Sequence, residues 1–537
     1  MCESLETLDL SNFVTTEVVN MSRMFDNCKK LTNLDISSFV TDKVENMTGM
    51  FARSGLVELD LSHFRTDSLK NMTEMFLAMP NLTTLNLSSF NTSNVTHMAE
   101  MFYRCGSLTE LDLSNFDVSN VVDMMYMFTN CTSLKTLTFG TFDARKVADF
   151  KYFFSGCSEL TQLDMTNFFI RDAINIESMF INCSGLTSLS MPGFDTKNVT
   201  TFRDIFSGCR SAKYIDVSNF DVSGAEDISG MFNYCPALES VDVNHFDTKN
   251  IKKTENFFKY CRKLKSIDIS NWETPSLESM DSMFFECYEL EDVKMSKFTS
   301  DSLWNARELF NYCQKLKTVD FGNMTFNLVD TMENMFNGCY SLEELDLSKW
   351  NTFSVSSMKN MFGGCYGLKT LILGDKFTTK YVKNFSGMFS NNPLLTGIDF
   401  STWSFESAED LSHMFEGCSM DVDLSNKITT NVTTTYRMFK DYNGTSINME
   451  NCDFSNSIDN SDFIYNAPNL VSFMPPLNIT TSITVNAKNL PSDVYVAIIG
   501  NLVYNVDPQT LAVGSNNIDK IPEGSLSLAV SKNWSVA

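Results

Sequence analysis

One word order recurs through this chain and limits what it can fold into. The clearest copy, Leu108 to Cys131, reads LTELDLSNFDVSNVVDMMYMFTNC, and its landmarks return every 26 residues. Cys105, Cys131, Cys157, Cys183, Cys209, Cys235, Cys261, Cys287, Cys313, Cys339 and Cys365 keep that step without a slip, as do Cys2 and Cys28. Counted by the Met-Phe pair and its variants, from Met24-Phe25 to Phe463-Ile464, there are 18 copies. A fixed period of this length defines a stacked solenoid, because one repeat cannot bury its own apolar face.

Two periodicities divide each copy. Leu111 and Leu113 alternate with Glu110, Asp112 and Ser114, the two-residue rhythm of a short strand. After Phe116, residues Val121, Met124, Met127, Phe128 and Cys131 fall at offsets of 0, 3, 6, 7 and 10. That spacing predicts one face of a short helix. The expected fold is therefore an α/β solenoid of about 18 rungs, with one short parallel strand and one short helix per repeat and a C-terminal cap. At roughly 4.8 Å per rung, it would form a curved rod of about 85 Å.

The strand word L-x-x-L-D-L-S-x-F, the V-x-x-M-x-x-M-F-x-x-C word and the 26-residue step resemble the BspA-like leucine-rich repeat family of surface proteins, over about residues 1–470. The resemblance implies a right-handed leucine-rich-repeat solenoid exposed outside the cell, with roles in adhesion and recognition and no reaction. Such repeats are borne by bacterial and protozoan surface proteins and by phage genomes.

Charge narrows the partners. The 537 residues carry 66 acids against 41 Lys and Arg, a net charge of -25. This disfavours nucleic acid and anionic membranes, both of which attract positive charge. No apolar run is long enough to span a bilayer, and no secretory signal is present. The chain opens at Met1-Cys2-Glu3-Ser4-Leu5, within a repeat and without an atypical capping repeat. We therefore expect an upstream domain or a neighbouring subunit over the N-terminal face.

The 15 cysteines lack the close pairing of metal sites. Cβ atoms about 3.8 Å apart, as a disulfide needs, do not match the rung spacing. The column reads as buried thiols acting as small apolar spacers. His63, His97, His245 and His413 occupy scattered slots with no nucleophile in register, so no catalytic residue and no cofactor are assigned.

The outward Asp of L-D-L-S forms the candidate binding column: Asp9, Asp35, Asp60, Asp112, Asp164, Asp216, Asp242, Asp268, Asp320, Asp346, Asp399 and Asp423. Neutral or cationic residues interrupt it at Asn86, Thr138, Ser190, Lys294, Ile372 and Asn448. Carboxylates roughly 5 Å apart repel by about 0.8 kcal/mol even in bulk water, so such breaks relieve the column. Two readings stay open: each Asp accepts hydrogen bonds from nearby backbone or its flanking Ser, or the stripe binds calcium or a basic partner. Beside it, the outward position before the second Leu varies through Thr7, Asn33, Glu58, Glu110, Gln162, Tyr214, Ser240, Asp292 and Gly397. Trp272, Trp350 and Trp403 replace the strand-end Phe, whereas Trp304 lies outside that column as a candidate exposed contact.

From Asn391 the spacing becomes irregular, and the Met-Phe-Cys words stop near residue 470. Residues 471–537, with a T-L-A-V-G-S strand and a following helix, are expected to cap the array. The chain as a whole reads as a non-catalytic surface solenoid for adhesion or receptor recognition of an extracellular protein or glycan. The alternative is a structural virion component such as a phage fibre, appendage or decoration protein.

Overall fold

The computed structural model describes residues 2–299 and 301–537. The chain separates into two compact units, Met1–Thr274 and Pro275–Ala537. The first holds the rungs from Met24-Phe25 to Phe257-Phe258, the second those from Met283-Phe284 to Phe463-Ile464. Both are built as parallel β-solenoids, with about 18 turns in total and little helix.

Register follows the repeat. In the first unit Glu58–Asp60 pairs in parallel with Thr84–Asn86, and Glu110–Leu113 with Thr136–Phe139, so Leu111 lies beside Leu137. In the second unit Glu344–Leu347 pairs with Thr370–Leu373 in the same way. Leu111 and Leu113 point into the core while Glu110 and Asp112 face out, as the alternation requires.

The helix expected in each repeat is absent. Tyr126 and Asn130 both adopt left-handed backbone, each with φ near 60°. The Met127, Thr129 and Cys131 N–H groups donate to Met124 O, Tyr126 O and Phe128 O, closing overlapping tight turns. The N–H groups that alternate with them leave the rung: Tyr126, Phe128 and Asn130 donate to Lys151, Phe153 and Ser155 of the next copy, at 3.2, 2.9 and 2.7 Å. The physical reason is spacing. A helix is about 10 Å across and satisfies its own backbone, so it cannot repeat every 4.8 Å. A double turn sends alternate peptides to its neighbour and can.

Met124, Met127, Phe128 and Cys131 are all fully buried. The offsets identified the inward side chains correctly while misassigning the backbone that carries them. Phenyl rings stack from rung to rung, with Phe76–Phe102, Phe102–Phe128 and Phe128–Phe154 centroids each 5.5 Å apart. Phe310–Phe336 and Phe336–Phe362 do the same at 5.7 and 5.9 Å. The offset-parallel arrangement is a favourable one for aromatic quadrupoles.

Three polar columns hold the turns in register. The Cys131 thiol donates to Phe102 O, and Cys105 to Phe76 O, one rung back. At the irregular step Asn392 fills the cysteine slot, and its Nδ2 donates to Phe362 O at 2.7 Å. The asparagine thus replaces the thiol as the donor at that step. A second column is threonine: the Thr41 hydroxyl donates to Arg65 O and accepts from Arg65 N–H, both at 2.8 Å, clamping the next strand exit. Thr15, Thr66 and Thr92 repeat that clamp. The third column is Asn or Asp at the turn entry, where Asn20, Asn46, Asn71, His97 and Asp123 pair in a second parallel ladder.

Helices appear at the C-terminal end: α1 (Ser492–Asn501), α2 (Ser515–Ile518) and α3 (Glu523–Ser531). They alternate with strands Asn460–Tyr465, Ile483–Asn486, Gln509–Ala512 and Trp534–Val536, which form one parallel sheet in that order. Helix α1 buries Val494, Tyr495, Ile498 and Ile499. The T-L-A-V strand and the last helix lie where the sequence placed them, whereas α1 had not been anticipated.

Candidate recognition surface

The Asp column lies at the exit of each strand, where the chain turns. In every one of the twelve, Oδ1 accepts the backbone N–H two residues on. Ser11 donates to Asp9, Ser37 to Asp35, Ser62 to Asp60 and Ser114 to Asp112. Thr166 donates to Asp164, Ser218 to Asp216, Asn244 to Asp242 and Ser270 to Asp268. Gly322 donates to Asp320, Ser348 to Asp346, Ser401 to Asp399 and Ser425 to Asp423. The distances run from 2.8 Å for Asp346 to 3.1 Å for Asp242. Asn86 and Asn448 make the same bond, so the amide oxygen serves as well as the carboxylate. This is an Asx turn, which fixes the corner that every strand needs.

Hydrogen-bond donors hold nine of these carboxyls below their ordinary range. The backbone N–H is the main cause at Asp9, Asp35, Asp60 and Asp423. At Asp164, Asp216, Asp346 and Asp399 the hydroxyl of the same Ser or Thr leads. At Asp320 it is the hydroxyl of Ser296. A neighbouring rung reaches the second carboxylate oxygen at Asp216, where Ser190 Oγ donates at 3.1 Å, and at Asp320, where Ser296 Oγ donates. Among the described residues no group of three or more His, Cys, Asp or Glu is placed to hold a metal ion.

The same turn recurs at two further corners of the rung. Ser119 donates to Asp117 and Ser223 to Asp221, each at 2.9 Å. Ser22, Thr48 and Thr73 donate to Asn20, Asn46 and Asn71, which also accounts for the Asn-x-Ser/Thr triplets there. Much of the acidic excess is therefore turn chemistry repeated along the array. This signal was legible as D-x-S and N-x-T words at fixed slots.

What distinguishes one rung from the next is the neighbouring outward position. Glu58, Glu110 and Tyr214 stand exposed beside buried Leu59, Leu111 and Ile215. Trp272, Trp350 and Trp403 are buried, while Trp304 is 49% exposed. Exposed ion pairs link rungs along this side, including Lys317–Glu291 at 2.7 Å and Lys369–Glu343 at 2.8 Å. The thiols offer no chemistry to solvent apart from exposed Cys2: the other cysteines are buried, and burial pushes Cys105 and Cys157 up to about 12.

A parallel solenoid with an invariant buried frame and a changing outer column defines the class: a repeat protein whose surface, not a cavity, is the variable part. The chain belongs to the family described as Mycoplasma protein of unknown function, DUF285, whose profile matches residues 1–110, 76–191, 100–217, 174–298, 304–419 and 368–474. No curated protein matches it. Among solved structures, a leucine-rich repeat protein from Bacteroides ovatus is 15% identical over 82% of this chain and 88% of that one, with a TM-score of 0.36. A leucine-rich cell surface protein from Faecalibacterium prausnitzii is 15% identical over 66% and 82%, with a TM-score of 0.26. The functional domain of InlJ from Listeria monocytogenes is 15% identical over 78% and 62%, with a TM-score of 0.20. These likenesses are too distant to carry a functional reading. Among the described residues no helix is long and apolar enough to cross a membrane.

Proposed function

We propose that the chain is a non-catalytic recognition solenoid of the BspA-like kind, displayed outside the cell, that binds an extracellular protein or glycan through its outward strand face. One observation carries this reading. Buried columns repeat almost unchanged, while the exposed column from Thr7 through Glu58, Glu110 and Tyr214 changes at nearly every rung. Solenoids use such a surface because each rung adds contacts without disturbing the core. The Asp column frames that face. Its carboxylates supply acceptors for a basic or hydroxyl-bearing ligand, while their first oxygens hold the turns. Residues 471–537 cap the array, with α1 covering the apolar side of the strand Ser472–Met474.

The test is binding of the purified chain to panels of extracellular proteins and glycans. A ligand should emerge, and Glu58→Lys with Glu110→Lys should weaken a ligand that spans the first unit by tenfold or more. Asp112→Asn, which retains the turn acceptor, should alter binding less. Absence of any ligand across both panels would contradict the reading.

A further inference from the structure

In the second unit the surface sinks into an open groove of about 720 Å3, lined in part by Lys317, Tyr340, Glu343, Glu344 and Asp346. Its charges are unevenly compensated. Lys317 is paired with Glu291 at 2.7 Å, and Glu343 with Lys369 at 2.8 Å. Glu344 and Asp346 have no ion-pair partner among the described residues. Lys349, whose charge reaches Asp346, is itself bonded to Gly322 O at 2.8 Å and Asn323 Oδ1 at 3.2 Å.

Aromatic faces adjoin these carboxylates. The Tyr340 and Tyr366 rings lie 5.3 Å apart and are 37% and 49% exposed. One rung earlier Tyr312 spreads over Gly338, where a Cβ would stand 2.7 Å from the ring, so glycine is needed for the ring to lie flat. Elsewhere several tyrosines at the surface are covered by cations of the chain itself. Arg104 sits over Tyr103, Arg210 over Tyr234, Lys380 over Tyr381 and Arg437 over Tyr436, with the cation 4.8 to 5.4 Å from the ring centre. Among the described residues no such cation covers Tyr312, Tyr340 or Tyr366.

Open π faces and carboxylates without an ion-pair partner attract the same kind of group, a cation. A neutral sugar can stack on the rings and donate to the carboxylates but leaves their charge unneutralised, and an anionic glycan is repelled by it. We propose that this groove docks a lysine- or arginine-bearing segment of a protein ligand, with one cation over the Tyr340–Tyr366 pair and another against Glu344 and Asp346. The proposal rests on the recognition reading and adds to it the place and the chemistry of the partner.

The probe is a fluorescein-labelled octalysine peptide titrated into the full chain, read by fluorescence anisotropy. Because the whole chain is acidic, Tyr504→Ala serves as the reference, an exposed tyrosine outside both the groove and the recognition column. The expected result is binding that weakens about tenfold in Tyr340→Ala/Tyr366→Ala, the loss of two exposed cation–π contacts. It should be retained in Tyr340→Phe/Tyr366→Phe and in Tyr504→Ala, and weakened in Glu344→Gln. An unchanged thermal midpoint in the alanine pair excludes unfolding as the cause. Equal binding by wild type and the alanine pair, or an equal loss in Tyr504→Ala, would overturn the assignment. If a ligand from the extracellular panels binds the alanine pair with wild-type affinity, the groove assignment fails and the recognition reading stands. If the panels give no ligand while octalysine binding still depends on the tyrosine pair, the recognition reading fails and the groove assignment stands.

Discussion

The Cys131 thiol donates to the carbonyl oxygen of Phe102, 3.1 Å away and in the preceding rung. That contact gives the most regular column in the sequence a structural role: from Cys105 to Cys261, and again at Cys313, Cys339 and Cys365, the thiol is a buried hydrogen-bond donor between turns. Its consequences are measurable. In native protein a thiol reagent should label Cys2 rapidly and the buried cysteines only after denaturation. Cys131→Ala should cost about 1–2 kcal/mol in urea unfolding, from the lost donor and the small void together.

The same burial fixes an alkaline limit. Cys105, Cys157, Cys235 and Cys365 are pushed up to about 12 by desolvation, above the ordinary thiol value of about 8.5. Stabilisation from keeping them neutral is complete below the unfolded value and is lost as pH rises towards the folded one. The thermal midpoint should fall steadily between about pH 9 and 12. Replacing several of these cysteines with Ala should flatten that slope.

At the acid end the carboxyls at the strand exits act in the opposite sense. Asp9, Asp60 and Asp399 are held below their ordinary range by donors two residues on. Their contribution is present above the unfolded value of about 4 and disappears as pH falls through the lower folded values. The midpoint should stay level from pH 7 to 5 and drop below pH 4. At neutral pH Asp399→Asn should leave the midpoint nearly unchanged, since Asn86 makes the same bond. Asp399→Ala, which removes the acceptor, should lower it.

The double turn makes a prediction that a helix would reverse. Ala78 sits at φ 51°, in the left-handed region that a methyl side chain disfavours by about 1–2 kcal/mol. Ala78→Gly should therefore stabilise the protein. Glycine inside a helix would destabilise it by about 0.5–1 kcal/mol instead. Chemical denaturation of the single variant distinguishes the two.

This contrast also shows where the sequence was informative. Period, register and the inward set were readable, because Met124, Met127, Phe128 and Cys131 are buried under either backbone. The turn was readable too, in a signal left unused: the slot before the cysteine holds Asn27, Asn130, Gly156, Asn182, Gly208, Gly338, Gly364 and Gly417, all at positive φ. Gly and Asn are the residues that visit that region most readily, and a helix would have no use for them there. The Asp column was identified, but its pairing with the N–H two residues on depends on a strand exit that only the backbone reveals. The groove was not legible at all. Tyr340 and Tyr366 follow the cysteine, Tyr312 precedes it, and their convergence depends on how adjacent rungs overlap.

Cross-linking mass spectrometry on the chain in its natural source tests the recognition reading most directly. The account predicts links from lysines on the outward strand side, such as Lys135, Lys213 and Lys294, to an extracellular protein or a cell-envelope component. Links confined to capsid or tail proteins would contradict it and make the solenoid a virion appendage.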